Sequence, residues 1–306
     1  MTATAWLALG VAFAVAPALP GLAARTRSWL TGRRGAPVLQ LYSDLAKLWR
    51  KSAVYSATTT WAFRLGGVVL FVTTVLAALL LPFDGRGALI RFAGDFVAFA
   101  GLLALGRFAL ILAAMDTGSS FEGMGASRDA TLGSLVEPAL FLCFAALAIA
   151  SGELSLASML GTTPARLWGP AGPALAMVAV SLFLLALAEA GRVPVDDPTT
   201  HLELTMIHEV MVLDHSGPDL ALIQYAGALR LALFGTLLAG VTVPLATLPP
   251  ALAVAAWLVA LGGVAVGVGV IEAVMARLRL ARVPQFLVAA ATLPAFAVIL
   301  LLSAAA

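Results

Sequence analysis

Eight stretches of apolar residues organise this 306-residue chain, each interrupted by charge, glycine or proline before the next begins. They run over about 3–23, 61–81, 91–115, 130–150, 170–190, 220–244, 251–275 and 283–303. A helix rises about 1.5 Å per residue, so roughly 20 apolar residues cross the hydrocarbon core of a bilayer, and each run meets that length. The pattern predicts an all-α membrane protein of about eight transmembrane helices, built as a single polytopic domain over residues 1–306. Pro138 falls inside the fourth run and Pro244 at the end of the sixth. Neighbouring helices satisfy backbone groups freed by proline, so neither residue forbids a span.

Three polar connections are long enough to carry function. In 24–60, Leu41, Leu45, Leu48 and Trp49 recur at helical spacing, with Asp44, Lys47, Arg50 and Lys51 polar. That spacing predicts a short amphipathic helix on the membrane surface. Residues 116–129, DTGSSFEGMGASRD, are expected to form a glycine-rich loop in which Gly118, Gly123 and Gly125 make a tight turn between spans. The third connection, within 188–219, reads AEAGRVPVDDPTTHLELTMIHEVMVLDHSGPD. It concentrates Glu189, Asp196, Asp197, Glu203, Glu209, Asp214 and Asp219 with Arg192 and the histidines His201, His208 and His215.

Composition narrows the class. The chain is 61% hydrophobic and 11% charged, with a mean hydropathy of +1.02, whereas soluble domains carry about 25% charged residues. Lipid is therefore its main solvent. A net charge of +2 is too small to imply nucleic-acid binding. The single cysteine, Cys143, excludes an intrachain disulfide and a four-thiolate iron–sulfur cluster. With no paired CxxC, phosphate-binding loop or dinucleotide fingerprint, the chain is expected to hold no redox centre, leaving electrons to a partner. The first twenty residues lack a basic leader and are expected to be a retained span.

Orientation follows from lysine and arginine. With the N-terminus outside, the inner loops and helix ends hold thirteen: Arg25, Arg27, Arg33, Arg34, Lys47, Arg50, Lys51, Arg64, Arg128, Arg192, Arg277, Arg279 and Arg282. The outer side holds three, Arg86, Arg91 and Arg166. Cytoplasmic loops attract such residues, so both termini are expected outside and 188–219 at the cytoplasmic face.

Within 188–219, Pro194 and Pro198 block a continuous helix, so the chain turns there. Thr200 and Glu203 fit a capping box that opens a helix of about 201–213, stopped by Gly217-Pro218. A zinc site is disfavoured, because His208-Glu209 is followed by Val212 where an HExxH motif needs histidine. The imidazoles read instead as titrating or partner-contacting groups. The interleaved Leu202, Leu204, Met206, Ile207, Val210, Met211 and Leu213 argue against a merely solvated loop.

Five ionisable residues sit inside the apolar runs: Arg107, Glu137, Glu189, Arg230 and Glu272. A charge at the centre of a membrane helix costs about 2.5–3.5 kcal/mol, so each should face a partner, water or a neighbouring helix. One reading is structural pairing, Glu137 with Arg107 and Glu272 with Arg230. The other is a proton path, favoured for the set as a whole by the acidic segment beside it. Gly263 and Gly267 have the small-xxx-small spacing of helix packing.

The run from Arg192 to Asp219 closely resembles the membrane subunit known as formate hydrogenlyase subunit 4 or hydrogenase-4 component C. Two further stretches fit, GRRGAPVLQLYSDLAKLWRK at 32–51 and MDTGSSFEGMGASRD followed by Val136-Glu137-Pro138. That subunit is related to respiratory complex I subunit 1. The resemblance implies a complex I subunit 1-like fold of about eight spans with short amphipathic cytoplasmic helices, in the plasma (inner) membrane. Carried over by position, Glu137, Glu189, Arg192, Asp196 and Glu203 would belong to a proton path. Arg25, Arg33, Arg34, Asp44, Lys47, Asp197, His201, His208, Glu209, Asp214 and His215 would dock or couple to a peripheral arm. This chain departs from subunit 1 in having Val195 for a usual phenylalanine, and Thr199 and His201 for glutamates that border a quinone chamber.

The resemblance therefore implies a non-catalytic anchor and coupling subunit of a [NiFe]-hydrogenase-type, complex I-like, redox-driven proton or sodium pump. Its expected partners are hydrogenase-like large and small subunits and iron–sulfur subunits on the cytoplasmic side, with antiporter-like subunits in the membrane. The nickel–iron centre and iron–sulfur clusters would lie on those partners. The alternatives are a quinone-pocket subunit of an NADH- or ferredoxin-quinone oxidoreductase and a stand-alone ion transporter. The latter would require internal repeats, and none is visible.

Overall fold

A computed structural model describes residues 3–196 and 206–305. The chain opens with α1 (Ala3–Val15) and α2 (Ala18–Leu30), followed by the short α3 (Gln40–Leu48). Then come α4 (Trp61–Leu79), α5 (Asp95–Asp116), α6 (Ser120–Ser151), α7 (Leu156–Arg166) and α8 (Trp168–Glu189). After the acidic segment follow α9 (Gly217–Thr242), α10 (Pro250–Val274) and α11 (Val283–Ala305). Among the described residues seven helices are long and apolar enough to cross a membrane. The bent pair α1–α2 makes an eighth if counted as one span. This is a multi-pass, all-helical membrane protein.

The first span differs from the expected straight run. It breaks at Ala16-Pro17 with a bend of 47°, because Pro17 has no N–H to continue the ladder. Beyond the break α2 runs on to Leu30, so Arg25 and Arg27 ride on a helix. The amphipathic α3 forms as expected, burying Leu45 and exposing Lys47.

Residues 116–129 correct the expected glycine-rich loop. Only a short turn remains, made at Gly118 with φ +70°, and α6 starts at Ser120. Gly125 serves close packing rather than a turn: a Cβ there would stand 2.8 Å from Met211 Cγ. Asp116, at the end of α5, crosses to α4, accepting from Thr60 N at 2.6 Å and Phe63 N at 3.2 Å. These orphan donors at the start of α4 are thereby satisfied.

The stretch 151–169 also contains a helix, α7, that its low charge concealed. Leu156, Met159 and Leu160 bury one face of it. The buried Asp95 anchors its start by accepting from Ser155 Oγ at 2.8 Å and Leu156 N at 2.7 Å.

The centre of the bundle is α9, 72% of whose apolar window is buried, against 28% for α10 and 22% for the last span. Helices α4, α8, α10 and α3 all pack against it. The main core runs through the bundle around Phe99, Phe144, Phe234 and Trp257 and reaches Val195 and Ile207. A smaller cluster of Leu70, Leu110, Ala126, Met211 and Ile223 lies toward the end carrying α3. Between the two sits the charged site.

Candidate functional site

Asp129, Gly133 and Glu137 are spaced four apart on α6 and so share one face. Arg107 of α5 lies opposite Gly133, where a Cβ would stand 2.6 Å from its Nη1. Glycine at 133 thus makes room for a guanidinium that reaches both ways along α6. Arg107 Nε stands 3.9 Å from Asp129 and Nη1 3.3 Å from Glu137. Its Nη2 forms a close ion pair with Glu189 at the end of α8. One cation therefore holds three carboxylates from two helices.

The network continues into α9. Arg230 Nη1 lies 3.4 Å from the other Glu189 oxygen, and Nη2 donates to Leu103 O at 3.0 Å. The expected Glu137–Arg107 pair is present. The expected Glu272–Arg230 pair is corrected: Glu272 meets Arg192, 3.3 Å away. The reason is helix order, since Arg230 is taken by Glu189 while the end of α10 meets the turn after α8. Backbone contact seals that meeting, Leu278 N donating to Pro194 O at 3.0 Å.

After α8 the chain turns at 191–195, as the prolines dictate. Gly191 has φ +59°, and a Cβ there would lie 3.1 Å from His208 Nδ1. Both the left-handed backbone and the close approach require glycine. Asp196 is 1% exposed and acts as a hub. Its Oδ2 accepts from Ile207 N at 3.1 Å and His208 N at 2.9 Å, and its Oδ1 pairs with Arg277 at 3.1 Å.

These bonds explain a second correction. The helix expected over about 201–213 is not α-helical in its described part, 206–213. It forms a bend and a 3-10 turn over Glu209–Val212. Asp196 captures the N–H groups of 207 and 208, while Arg128 Nη1 takes Met206 O at 2.8 Å. Backbone groups committed to side chains cannot continue a helical ladder.

His208 bridges the two parts of the site. Nδ1 lies 3.3 Å from Asp196 Oδ2, and Nε2 lies 3.5 Å from Asp129 Oδ1. Burial disfavours charge on Asp196, but the His208 hydrogen bond and charge, backbone N–H groups and Arg277 outweigh it, holding the carboxyl below its ordinary range. Burial likewise opposes the His208 imidazolium. The hydrogen bond with Asp196 and the charges of Asp129 and Asp196 outweigh both burial and Arg107, so its pKa is raised.

A cavity of about 330 Å³ opens beside this chain of groups. Arg107, Asp129, Glu189, Arg192, Asp196, His208 and Arg230 form its charged wall, while Leu70, Leu110, Ile223 and Leu231 form its apolar wall. Gln224 Oε1 and Arg230 Nε, both on lining residues, are buried without a hydrogen-bond partner among the described residues. Among the described residues no three His, Cys, Asp or Glu side chains converge as metal ligands.

The other expected site residues separate into groups. Asp44 and Glu209 join the cavity lining. Arg25, Arg33, Arg34, Lys47 and Asp214 are exposed at the α3 end. His215 is buried at 4% exposure and stacks on Phe63, 4.1 Å between centroids, so it is not presented to a docking partner. Asp197, His201, Glu203 and the Thr200 capping box lie outside the described residues. Sequence reasoning missed Asp129, Arg277 and Gly133. The Asp-xxx-Gly-xxx-Glu spacing at 129–137 is the signal that would have found two of them.

Comparison with known proteins places these features. A family model described as NADH dehydrogenase matches residues 3–303. Formate hydrogenlyase subunit 4 of Escherichia coli is 32% identical over 284 residues, covering 90% of each chain. Hydrogenase-4 component C of the same organism is 32% identical over 229 residues, covering 74% of this chain and 71% of that one. NADH-ubiquinone oxidoreductase chain 1 of Triticum aestivum is 28% identical over 255 residues, covering 79% of this chain and 75% of its own. The fold is similar to a chain of the membrane-bound sulfane sulfur reductase, an archaeal respiratory membrane complex. The TM-score is 0.83 at 21% identity, with 97% of this chain and 98% of that chain covered.

Proposed function

We propose that this chain, which belongs to the NADH dehydrogenase family, is the membrane anchor and coupling subunit of a hydrogenase-type, redox-driven ion pump. The observation that carries this reading is the Arg107 node. A guanidinium holding Asp129, Glu137 and Glu189 costs far more in a membrane than an apolar contact would. Its carboxylates lead from the cavity beside Asp196 to Glu137, whose side chain is 41% exposed within a span. A half-exposed carboxylate at that depth fits a neighbouring membrane subunit rather than lipid.

The charged end of the bundle would face the cytoplasm, where Arg25, Arg33, Arg34 and Lys47 offer cations to a peripheral arm. Iron–sulfur and hydrogenase-like large and small subunits of that arm would carry the electrons. A charge change in the arm would alter the field at Asp196, and ion pairs around Arg107 would rearrange in response. Antiporter-like subunits would take over beyond Glu137. The hydrogenase-type branch is favoured by relatives of 32% identity over most of the chain.

Isolation of the tagged chain from gently solubilised membranes tests this reading. Co-isolated iron–sulfur, hydrogenase-like and antiporter-like subunits are expected. A chain recovered alone that moves ions in liposomes would overturn it.

A second reading rests on the cavity. Its volume, about 330 Å³, sits at the lower end of the roughly 300–1,000 Å³ typical of small-molecule sites, and one of its walls is apolar. A quinone-pocket subunit would have such a cavity. Quinone-dependent turnover of the isolated complex would favour that reading over a hydrogenase-type one.

A further inference from the structure

We infer that His208 is the link through which protons pass from the rim carboxylate Asp196 to the buried carboxylate Asp129. The inference rests on the coupling role proposed above and assigns one residue a step within it.

Geometry carries the assignment. The two ring nitrogens face different carboxylates, Asp196 at 3.3 Å and Asp129 at 3.5 Å. On one side, Asp196 is tied to Arg277 at the rim; on the other, Asp129 belongs to the Arg107 node that leads to Glu189 and Glu137. Besides His208, Asp129 pairs with Arg107 alone among the described residues. Among the described residues the imidazole is the group in contact with both Asp196 and Asp129.

Charge balance points the same way. The connected groups include four guanidiniums, on Arg107, Arg192, Arg230 and Arg277. They face five carboxylates, on Asp129, Glu137, Glu189, Asp196 and Glu272. Among these described groups the carboxylates outnumber the guanidiniums by one, and His208 stands between two of those carboxylates. Burial, which opposes the imidazolium, is overcome by the Asp196 hydrogen bond and both carboxylates, raising its proton affinity.

The step balances without a co-reactant. A neutral ring with its proton on Nε2 accepts a second proton at Nδ1 from the Asp196 side. It then releases the Nε2 proton to Asp129 and is left neutral, protonated on Nδ1. The starting tautomer returns when Nδ1 gives its proton to solvent in the cavity and Nε2 takes one from it. The ring reaches that solvent, because its side chain is 30% exposed and lines the cavity.

The test uses the whole complex in proteoliposomes, reading ion movement and electron transfer across neutral pH. H208Q and H208N should assemble, retain electron transfer and lose ion movement by at least about tenfold, as expected when a positioned acid–base group is removed. The fall in wild-type coupling as pH rises through the raised His208 value should vanish in both. In H208A, added imidazole, small enough for the cavity, should restore part of the ion movement. Wild-type ion-to-electron ratios and pH profile in H208Q or H208N would overturn the inference, as would an H208A defect that imidazole leaves untouched. Glu189→Gln, run in parallel, separates the two ideas. If it abolishes ion movement while H208Q does not, only the role of His208 falls; if the wild-type complex moves no ions, the coupling role falls with it.

Discussion

Gly133 and the guanidinium of Arg107 occupy one another's space: a Cβ at 133 would stand 2.6 Å from Arg107 Nη1. The glycine is what allows one cation to sit between Asp129 and Glu137. Gly133→Ala is therefore expected to push Arg107 off the α6 face at an overpacking cost of about 1–3 kcal/mol. Thermal unfolding of the solubilised chain should show the loss, and ion coupling should fall with it. Wild-type stability and coupling together would show that Arg107 needs no such seat.

Arg107 itself is expected to be far less replaceable. Arg107→Gln leaves Asp129, Glu137 and Glu189 without their shared cation, and breaking a buried pair from one side costs about 3–5 kcal/mol. Adding Glu189→Gln should recover part of that loss, because the carboxylate nearest the missing cation, left with Arg230 alone among the described residues, is then neutral. A double-mutant cycle on unfolding midpoints measures the coupling. Strict additivity of the two losses would contradict the ion pair's importance.

His215 gives a pH prediction of the opposite kind. Burial, opposed by Asp219 and Asp214, pushes its pKa down to about 4, and among the described residues neither ring nitrogen has a hydrogen-bond partner. The unfolded chain takes up this proton near 6.5, the folded chain not until about 4. Stability is therefore lost as pH falls through that window, at about 1.4 kcal/mol for each tenfold difference in proton affinity. His215→Phe keeps the stacking on Phe63 and removes the titration. Unfolding midpoints compared at neutral and mildly acidic pH should show the variant losing less than the wild type.

The Arg192–Glu272 pair, 3.3 Å, ties the turn after α8 to the end of α10. Glu272→Gln takes the carboxylate from the partly buried Arg192 guanidinium and is expected to loosen that junction. Faster hydrogen exchange at Leu278 N, which bonds Pro194 O, is the readout. Unchanged exchange there would mean the backbone contact holds the junction unaided.

How far the sequence reveals this site depends on the range of the interaction. Spans are legible because their signal is local: long apolar runs bounded by charge, matched by α4, α5, α8, α9, α10 and α11 to within a few residues. The amphipathic α3 and the turn at Gly191–Val195 are legible for the same reason. The extension of α6 over 120–129 is not, since Gly125 is there to admit Val210 and Met211, which are distant in sequence. Asp129 is hidden with it, because the stretch that holds it reads as a loop. Partner choice is legible only in part. Arg107 with Glu137 is expected, whereas Glu272 with Arg192 depends on which helix ends meet, and composition carries no record of that. Glu189, Arg192 and Asp196 stand out as charges at the edge of oil, yet the residue that joins Asp196 to Asp129 of α6, His208, looks like one of three similar histidines.

The most direct measurement is the ion-to-electron ratio of the purified complex carrying Glu189→Gln, reconstituted in sealed proteoliposomes. Glu189 joins Arg107 to Arg230 in the charged wall of the cavity. The account predicts an assembled complex that still transfers electrons but no longer moves ions. Ion movement at the wild-type ratio would contradict it.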